Sequence, residues 1–165
     1  MTQKLMGSVV TVLEAPNLVA NPSAAVEGDP GWPANWFHTL DGVAWATQGH
    51  ADERALRLNP VNEMSDWRCE VVPVTGGKQY RHRVYVKGMG SQKTILALRW
   101  FSDDNGQNWI SEEWMWLVDS YVDWTLQDAV WTAPLNARSA DMMFRAFEVT
   151  TADLYGDDFY MGEIA

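Results

Sequence analysis

The stretch Gln79-Tyr80-Arg81-His82-Arg83-Val84-Tyr85-Val86-Lys87 alternates without a break. On an extended chain, successive side chains leave opposite faces. Tyr80, His82, Val84 and Val86 therefore point one way, and Arg81, Arg83, Tyr85 and Lys87 the other. The first set suits a core and the second a wet or partner-facing side, which is the pattern of a half-buried antiparallel strand. Working outward, Thr94–Phe101 repeats the pattern, with Leu96, Leu98 and Trp100 inward and Ile95, Ala97, Arg99 and Phe101 outward. Between the two lies Gly88-Met89-Gly90-Ser91, read as a glycine-punctuated hairpin turn. Beyond the second comes Asp103-Asp104-Asn105-Gly106, whose Asn-Gly pair signals a tight hairpin with positive φ at both central residues.

Similar runs predict strands at Ser8–Leu13, Ala55–Leu58, Trp67–Val72, Trp114–Asp119, Tyr121–Leu126, Met142–Val149 and Phe159–Ile164, with another turn at Gly76-Gly77. Helical periodicity is confined to Asp52–Ala55 and Leu135–Ala140. Roughly nine or ten short strands in one domain predict an all-β fold, a two-sheet antiparallel β-sandwich of jelly-roll type. Residues 1–16 read as a separate extended arm: Val9, Val10, Val12 and Leu13 form a β-branched run that stops before Pro16. The arm either adds a strand to its own sheet or lies on a neighbouring subunit. Residues 17–165 form the sandwich.

The chain has 165 residues, 47% of them apolar and 21% charged, which fits one globular domain. Twelve basic against 22 acidic residues give a net charge of −10. That balance argues against nonspecific binding to nucleic acid or to an anionic membrane, both of which reward Lys and Arg. One cysteine, Cys69, rules out an intrachain disulfide and a Cys-rich zinc site, and reads as a buried strand residue. The opening residues lack a charged region followed by a long apolar stretch, so no secretory signal is expected. No apolar run reaches membrane-spanning length.

The aromatic content is high, with ten Trp, five Tyr and five Phe. A domain of this size cannot easily enclose ten indoles, each needing an N–H partner when buried, so a minority should lie at a contact surface. Trp67, Trp100 and Trp124 read as core; Trp32, Trp36 and Trp45 read as lining an edge. Two binding platforms stand out. One is the outward face of the central strands, with Arg81, Arg83, Tyr85, Arg99 and Phe101, a mix of arginines and rings typical of interfaces. The other is Trp109–Trp116, where Trp114 and Trp116 share a face beside Glu112 and Glu113, with Trp109 at its start. Aromatic rings stack on the C–H faces of sugars, and charged side chains pair with hydroxyls.

Catalysis has little support. His38, His50 and His82 are scattered and fit no metal-ligand spacing, and His82 falls on the inward face as a core histidine. The carboxylate pairs Asp103/Asp104, Glu112/Glu113 and Asp157/Asp158 are sequence neighbours, which a strand sends to opposite faces. No nucleophile elbow, phosphate loop or dinucleotide fingerprint occurs. The chain is not expected to be an enzyme.

Several pieces together resemble the jelly-roll carbohydrate-binding modules of the galactose-binding-like superfamily. They are Asn17-Leu18-Val19-Ala20-Asn21-Pro22-Ser23, Gly31-Trp32 with Trp36, and His50 with Ala55-Leu56-Arg57-Leu58. Val74–Tyr80 leading to Val84–Gly88, Leu98-Arg99-Trp100-Phe101, Trp124, Ala133-Pro134 and Asp157-Asp158-Phe159 complete the set. The resemblance covers residues 17–165 and implies a non-catalytic sandwich. It also implies a structural calcium near the first and last strands. The usual acidic ligand after Asn-Pro is replaced by Ala24-Ala25, leaving Glu27 or Asp29 as substitutes, with Asp157 and Asp158 opposite; otherwise no cofactor is expected.

The chain opens on methionine, shows no export signal and carries no catalytic partner. These features favour a virion surface protein, either a capsid decoration protein or a tail or fibre component of a bacteriophage. Its partners would then be other virion proteins, itself as a homo-oligomer, or a polysaccharide. The alternative is an extracellular module that targets a secreted polysaccharide-degrading enzyme to its glycan.

Overall fold

The structure, a computed structural model, describes residues 14–39, 42–59, 64–91, 93–147 and 153–164. Among them are eleven strands and no helix. The strands are β1 (Trp36–Thr39), β2 (Val43–Ala46), β3 (Ala55–Leu58), β4 (Ser65–Cys69), β5 (Val72–Pro73) and β6 (Gln79–Met89). They continue with β7 (Thr94–Phe101), β8 (Trp109–Trp116), β9 (Ser120–Thr132), β10 (Ser139–Ala146) and β11 (Leu154–Glu163). They form two antiparallel sheets. One runs β1-β4-β10-β7-β8 with β5 attached to β10; the other runs β2-β3-β11-β6-β9. The two-sheet sandwich expected from the alternation is present.

The core lies between the sheets and is built by the inward sets. Val84 and Val86 from β6, Leu96, Leu98 and Trp100 from β7, and Phe144 and Phe159 from β10 and β11 are enclosed in one cluster. Trp67 is enclosed with them, its Nε1 donating to the Arg57 carbonyl at 3.1 Å. His82 is a core histidine as expected. Its ring lies 3.7 Å from that of Trp131, and burial pushes its pKa down to about 3, so it is neutral. Cys69 is buried too; the Met142 N–H donates to its sulfur, and burial raises the thiol to about 12.

Two turns differ from expectation. Gly88–Ser91 is not a hairpin, because β6 pairs with β9 and β11 whereas β7 pairs with β10 and β8. The link crosses between sheets, and its N–H groups bond elsewhere: Gly90 to the Asp119 carbonyl and Ser91 to that of Leu117, each at 2.9 Å. At Gly88 the backbone sits at φ 111, and a side chain would strike the Asp153 carbonyl. The Asn105-Gly106 hairpin does join β7 to β8, but only Gly106 is at positive φ. The loop is wider than a tight turn because the Asp103 carboxylate accepts the N–H groups of Gln107 and Asn108. Neither Asp52–Ala55 nor Leu135–Ala140 is helical; Ala55 opens β3, and Ser139 opens β10. The strand expected at Ser8–Leu13, and with it most of the arm, lies outside the described residues, as does the end of Met142–Val149.

The opening motif is explained by its hydrogen bonds. Asn17 donates from Nδ2 to the Phe159 carbonyl at 2.8 Å and accepts at Oδ1 from the N–H groups of Val19 and Met161. One amide side chain thus fastens the entry of the chain to β11, and with it the outer face of the five-stranded sheet.

Candidate functional site

Because β6 and β7 belong to different sheets, the platform read from them divides in two. Arg81, Arg83 and Tyr85 do face outward from the five-stranded sheet. Arg99 lies on the outer face of the other sheet, and Phe101 is buried at the β7–β8 bulge. Alternation gave the face of each residue correctly, but it carries no information about which strands share a sheet.

On the five-stranded sheet, antiparallel register builds the outer face row by row. Arg83 lies opposite Asp128 on one side and Tyr160 on the other; Lys87 lies opposite Tyr155, which lies opposite Arg57. Tyr85 lies opposite Leu126 and Asp157. Between Asp157 and Tyr160 strand β11 bulges, with Asp158 at φ 49. A bulge re-aims side chains, and here Asp157 is enclosed while Asp158 meets solvent. Both hold the loop that carries His50. The His50 N–H donates to Asp157 Oδ2 at 2.5 Å, and its ring Nδ1 lies 2.7 Å from Asp158 Oδ2.

So anchored, the His50 imidazole stacks on Tyr85, with centroids 3.7 Å apart and planes at 11°, and stands edge-on to Trp124 at 6.0 Å. Beside this ring cluster is an open hollow of about 260 Å³ walled by Arg83, Tyr85, Leu126, Asp158 and Tyr160. A second hollow, of about 360 Å³, lies by Lys87, Val122 and Tyr155. Arg83 and Lys87 are four residues apart on β6, about 13 Å along the strand. The face therefore offers rings and cations over the length of several sugar units. Trp124 belongs to this face and not to the core; in β9 it alternates with Val122 and Leu126 on the outer side, while Tyr121 and Trp131 pack inward. Reasoning from residue type had placed it inside; its spacing places it outside.

The outer face of the six-stranded sheet is closed around its middle by its own side chains, while its β8 edge stays exposed. Ile95, Ala97 and Met143 form a second small cluster, wholly enclosed although they point away from the main core. Phe147 packs on this cluster, and Trp114 and Trp116, 41% and 46% exposed, lie against Phe147, the two indoles 5.4 Å apart and nearly perpendicular. Trp114 also donates to Glu112 at 2.7 Å. Trp109 lies at the far end of β8, about 17 Å along the strand from Trp114, and is exposed. The charges nearby are paired: Arg99 grips Asp141, and Asp66 takes Arg145 at 2.6 Å, Arg68 at 3.3 Å and the Thr39 hydroxyl. Of the other tryptophans, Trp36 is buried, Trp32 stacks on His38 at 4.1 Å, and Trp45 donates to the Ala24 carbonyl.

The metal and catalytic candidates resolve into structural roles. Glu27 accepts the N–H of Gly31 in its own exposed turn, and among the described residues no group of three or more His, Cys, Asp or Glu side chains converges on a point. Asp157 has both oxygens bonded to backbone N–H groups, those of His50 and Asp158. This donor set does not fit a calcium shared by Glu27, Asp157 and Asp158. Burial pushes the Asp157 pKa up to about 7, with the neighbouring charges of Asp158 and Asp52 adding to it and the two N–H donors opposing. A carboxyl tuned to neutrality suggests acid catalysis, but Asp157 has no exposed surface with which to touch a substrate. Asp103 closes its own loop, and Asp104 pairs with Arg138.

Glu14, His50, Arg57, Lys87, Trp124, Tyr155 and Tyr160 belong to the open face and are not among the binding candidates that the sequence offers. Lys87 and Trp124 had a usable signal, the one in the outward set of β6 and the other sharing a face with Val122 and Leu126.

No family model matches the sequence, and no curated protein matches it. Solved structures do match. The enzymatically active domain of bacteriophage CBA120 tailspike protein 4 superposes with a TM-score of 0.65 at 13% identity, over 90% of this chain and 21% of that one. This chain therefore spans about a fifth of the tailspike chain. A family 16 carbohydrate-binding module matches at 0.61 and 15%, over 88% of this chain and 99% of the module. TmCBM61, solved with β-1,4-galactotriose, matches at 0.58 and 16%, over 91% of this chain and all of that one. At these identities the likeness is one of fold: the chain has the β-sandwich of carbohydrate-binding modules.

Proposed function

We propose that this protein is a non-catalytic glycan-binding domain whose ligand lies across the outer face of the five-stranded sheet. The observation that carries the reading is the open ring cluster of His50, Tyr85 and Trp124, flanked on one face by Arg57, Arg83 and Lys87. A sugar presents a C–H face that buries against such rings and hydroxyls that charged groups bind directionally. Support also comes from the fold likeness to modules matched nearly end to end. The test is affinity electrophoresis through gels containing a panel of soluble polysaccharides. At least one should retard the protein, and Tyr85→Ala or Trp124→Ala should release it. No retardation by any, or retardation unchanged in both variants, would overturn the reading.

For setting, we propose the virion surface, where a decoration, tail or fibre protein of this kind would hold particles near surface sugars. The likeness to a tailspike domain supports it. Genes for capsid or tail proteins flanking its own would agree. A flanking glycoside hydrolase gene would favour instead a module that targets a secreted enzyme.

A further inference from the structure

Arg83, which walls the hollow beside Tyr85, already holds a carboxylate, and that carboxylate belongs to the chain itself. Glu14 places Oε2 2.7 Å from Arg83 Nη2 and Oε1 3.8 Å from Arg81 Nη1. Arg83 is built into the wall. Its guanidinium carbon lies 4.3 Å from the centre of the Tyr160 ring, and its side chain is only 19% exposed. Arg81 is steadied from the other side by Asp128 at 3.4 Å. Glu14 is not built in to the same degree, since its side chain is 51% exposed. Its other nearby tether is the Ala15 carbonyl, which accepts from the Tyr160 hydroxyl at 2.9 Å. An exposed ion pair of this kind contributes little to stability, so it can be exchanged. What remains when Glu14 leaves is a ring-backed Arg83 without a carboxylate, beside an Arg81 that Asp128 still pairs, at the edge of the aromatic platform and with Asp158 on another wall of the hollow.

We infer that the glycan is acidic, a polysaccharide carrying uronic acid carboxylates, and that one such carboxylate displaces Glu14 from Arg83 and Arg81. This rests on the glycan-binding reading and narrows it. Arginine is suited to the role because its planar fork takes a carboxylate in two parallel hydrogen bonds. The overall charge of −10 does not oppose a slot of this size. At physiological salt, distant charges are screened beyond about 8 Å.

The experiment compares polygalacturonate, alginate and hyaluronan, each beside its carboxyl-reduced neutral form, by titration at constant ionic strength. At least one acid polymer should bind about tenfold more tightly than its reduced form, and Arg83→Ala should erase the difference. Glu14→Gln should raise affinity for the acid polymer at least about threefold more than for the reduced one, because the intramolecular competitor is gone. Equal binding of acid and reduced forms, or a Glu14→Gln variant that favours neither, would overturn the inference while leaving glycan binding intact. Binding to no polysaccharide, acidic or neutral, would overturn both. Thermal melts of the variants confirm that each is folded.

Discussion

The two outer faces of the sandwich draw on the same residue types and use them in opposite ways. On the six-stranded side the arginines are fastened inward, Arg99 to Asp141 and Arg145 and Arg68 to Asp66, and the indoles of Trp114 and Trp116 pack against Phe147, which lies on Ile95, Ala97 and Met143. On the five-stranded side Lys87 has no ion-pair partner among the described residues, Arg83 is held by an exposed glutamate, and the rings border open hollows. Arginine and tryptophan content alone does not distinguish a binding face from a second core layer. Arg57 and Arg81 on the open face are paired too, with Asp153 and Asp128. What distinguishes the faces is that Asp66 and Asp141 are enclosed whereas Glu14, Asp128 and Asp153 stand in solvent, where a pair is readily exchanged.

Two enclosed aspartates make the contrast sharper. Burial alone would raise the pKa of Asp66, but hydrogen bonds from Thr39 and Arg145 and the charges of Arg68 and Arg145 outweigh it and leave the carboxyl below its usual range. Asp157, equally enclosed, has only backbone donors and acidic neighbours, and is driven up to about 7. The first braces a closed face and the second braces the loop of an open one.

The largest effect should come from breaking the closed face. Asp66→Ala leaves Arg145 and Arg68 without their carboxylate, and should cost about 3 kcal/mol in urea unfolding. Arg83→Ala on the open face should cost less than about 1 kcal/mol. Equal losses would dissolve the distinction.

Next comes pH. The folded-state pKa of Asp157 is raised, so the stability it contributes is fully present below about pH 4 and is lost as pH rises through about 7, at up to about 1.4 kcal/mol per pH unit. Asp66 has the reverse sign: its contribution is present above its unfolded value near 4 and is lost as pH falls through its lowered value. Relative to wild type, Asp157→Asn should therefore gain melting temperature from pH 5 to pH 8. A constant difference across that range would show that Asp157 ionises as freely folded as unfolded.

The smallest effect is on the lid. Trp114→Ala and Trp116→Ala each uncover part of Phe147 and should cost about 1 kcal/mol, with glycan retardation unchanged. Tyr85→Ala should do the opposite, reducing binding about tenfold or more with little change in unfolding. Swapped outcomes would move the site to the face of β8.

Local pattern carried much of this molecule. The alternation in Gln79–Lys87 and Thr94–Phe101 predicts which side chains face the core, and Leu96, Leu98, Trp100, Val84 and Val86 are enclosed as read. Sheet membership was not legible, because Gly88–Ser91 looks like a hairpin in sequence and is a crossover in space. That is why Arg99 and Phe101 were grouped with Arg81, Arg83 and Tyr85. His50 was legible only as part of a family resemblance, since its place against Tyr85 depends on a bulge more than a hundred residues away in β11. Glu14 gave no signal, because nothing local marks a loop carboxylate that will meet two arginines of β6.

The central claim is that ligand binds the face built by β6, β9 and β11. The most direct measurement is an amide chemical-shift map recorded while the labelled protein is titrated with oligosaccharides of whichever polysaccharide retards it. The account predicts the largest shifts at Arg83–Lys87, Trp124–Leu126 and around His50 and Tyr160, with β8 unmoved. Shifts concentrated at Trp109–Trp116, with Tyr85 and its neighbours unmoved, would contradict it.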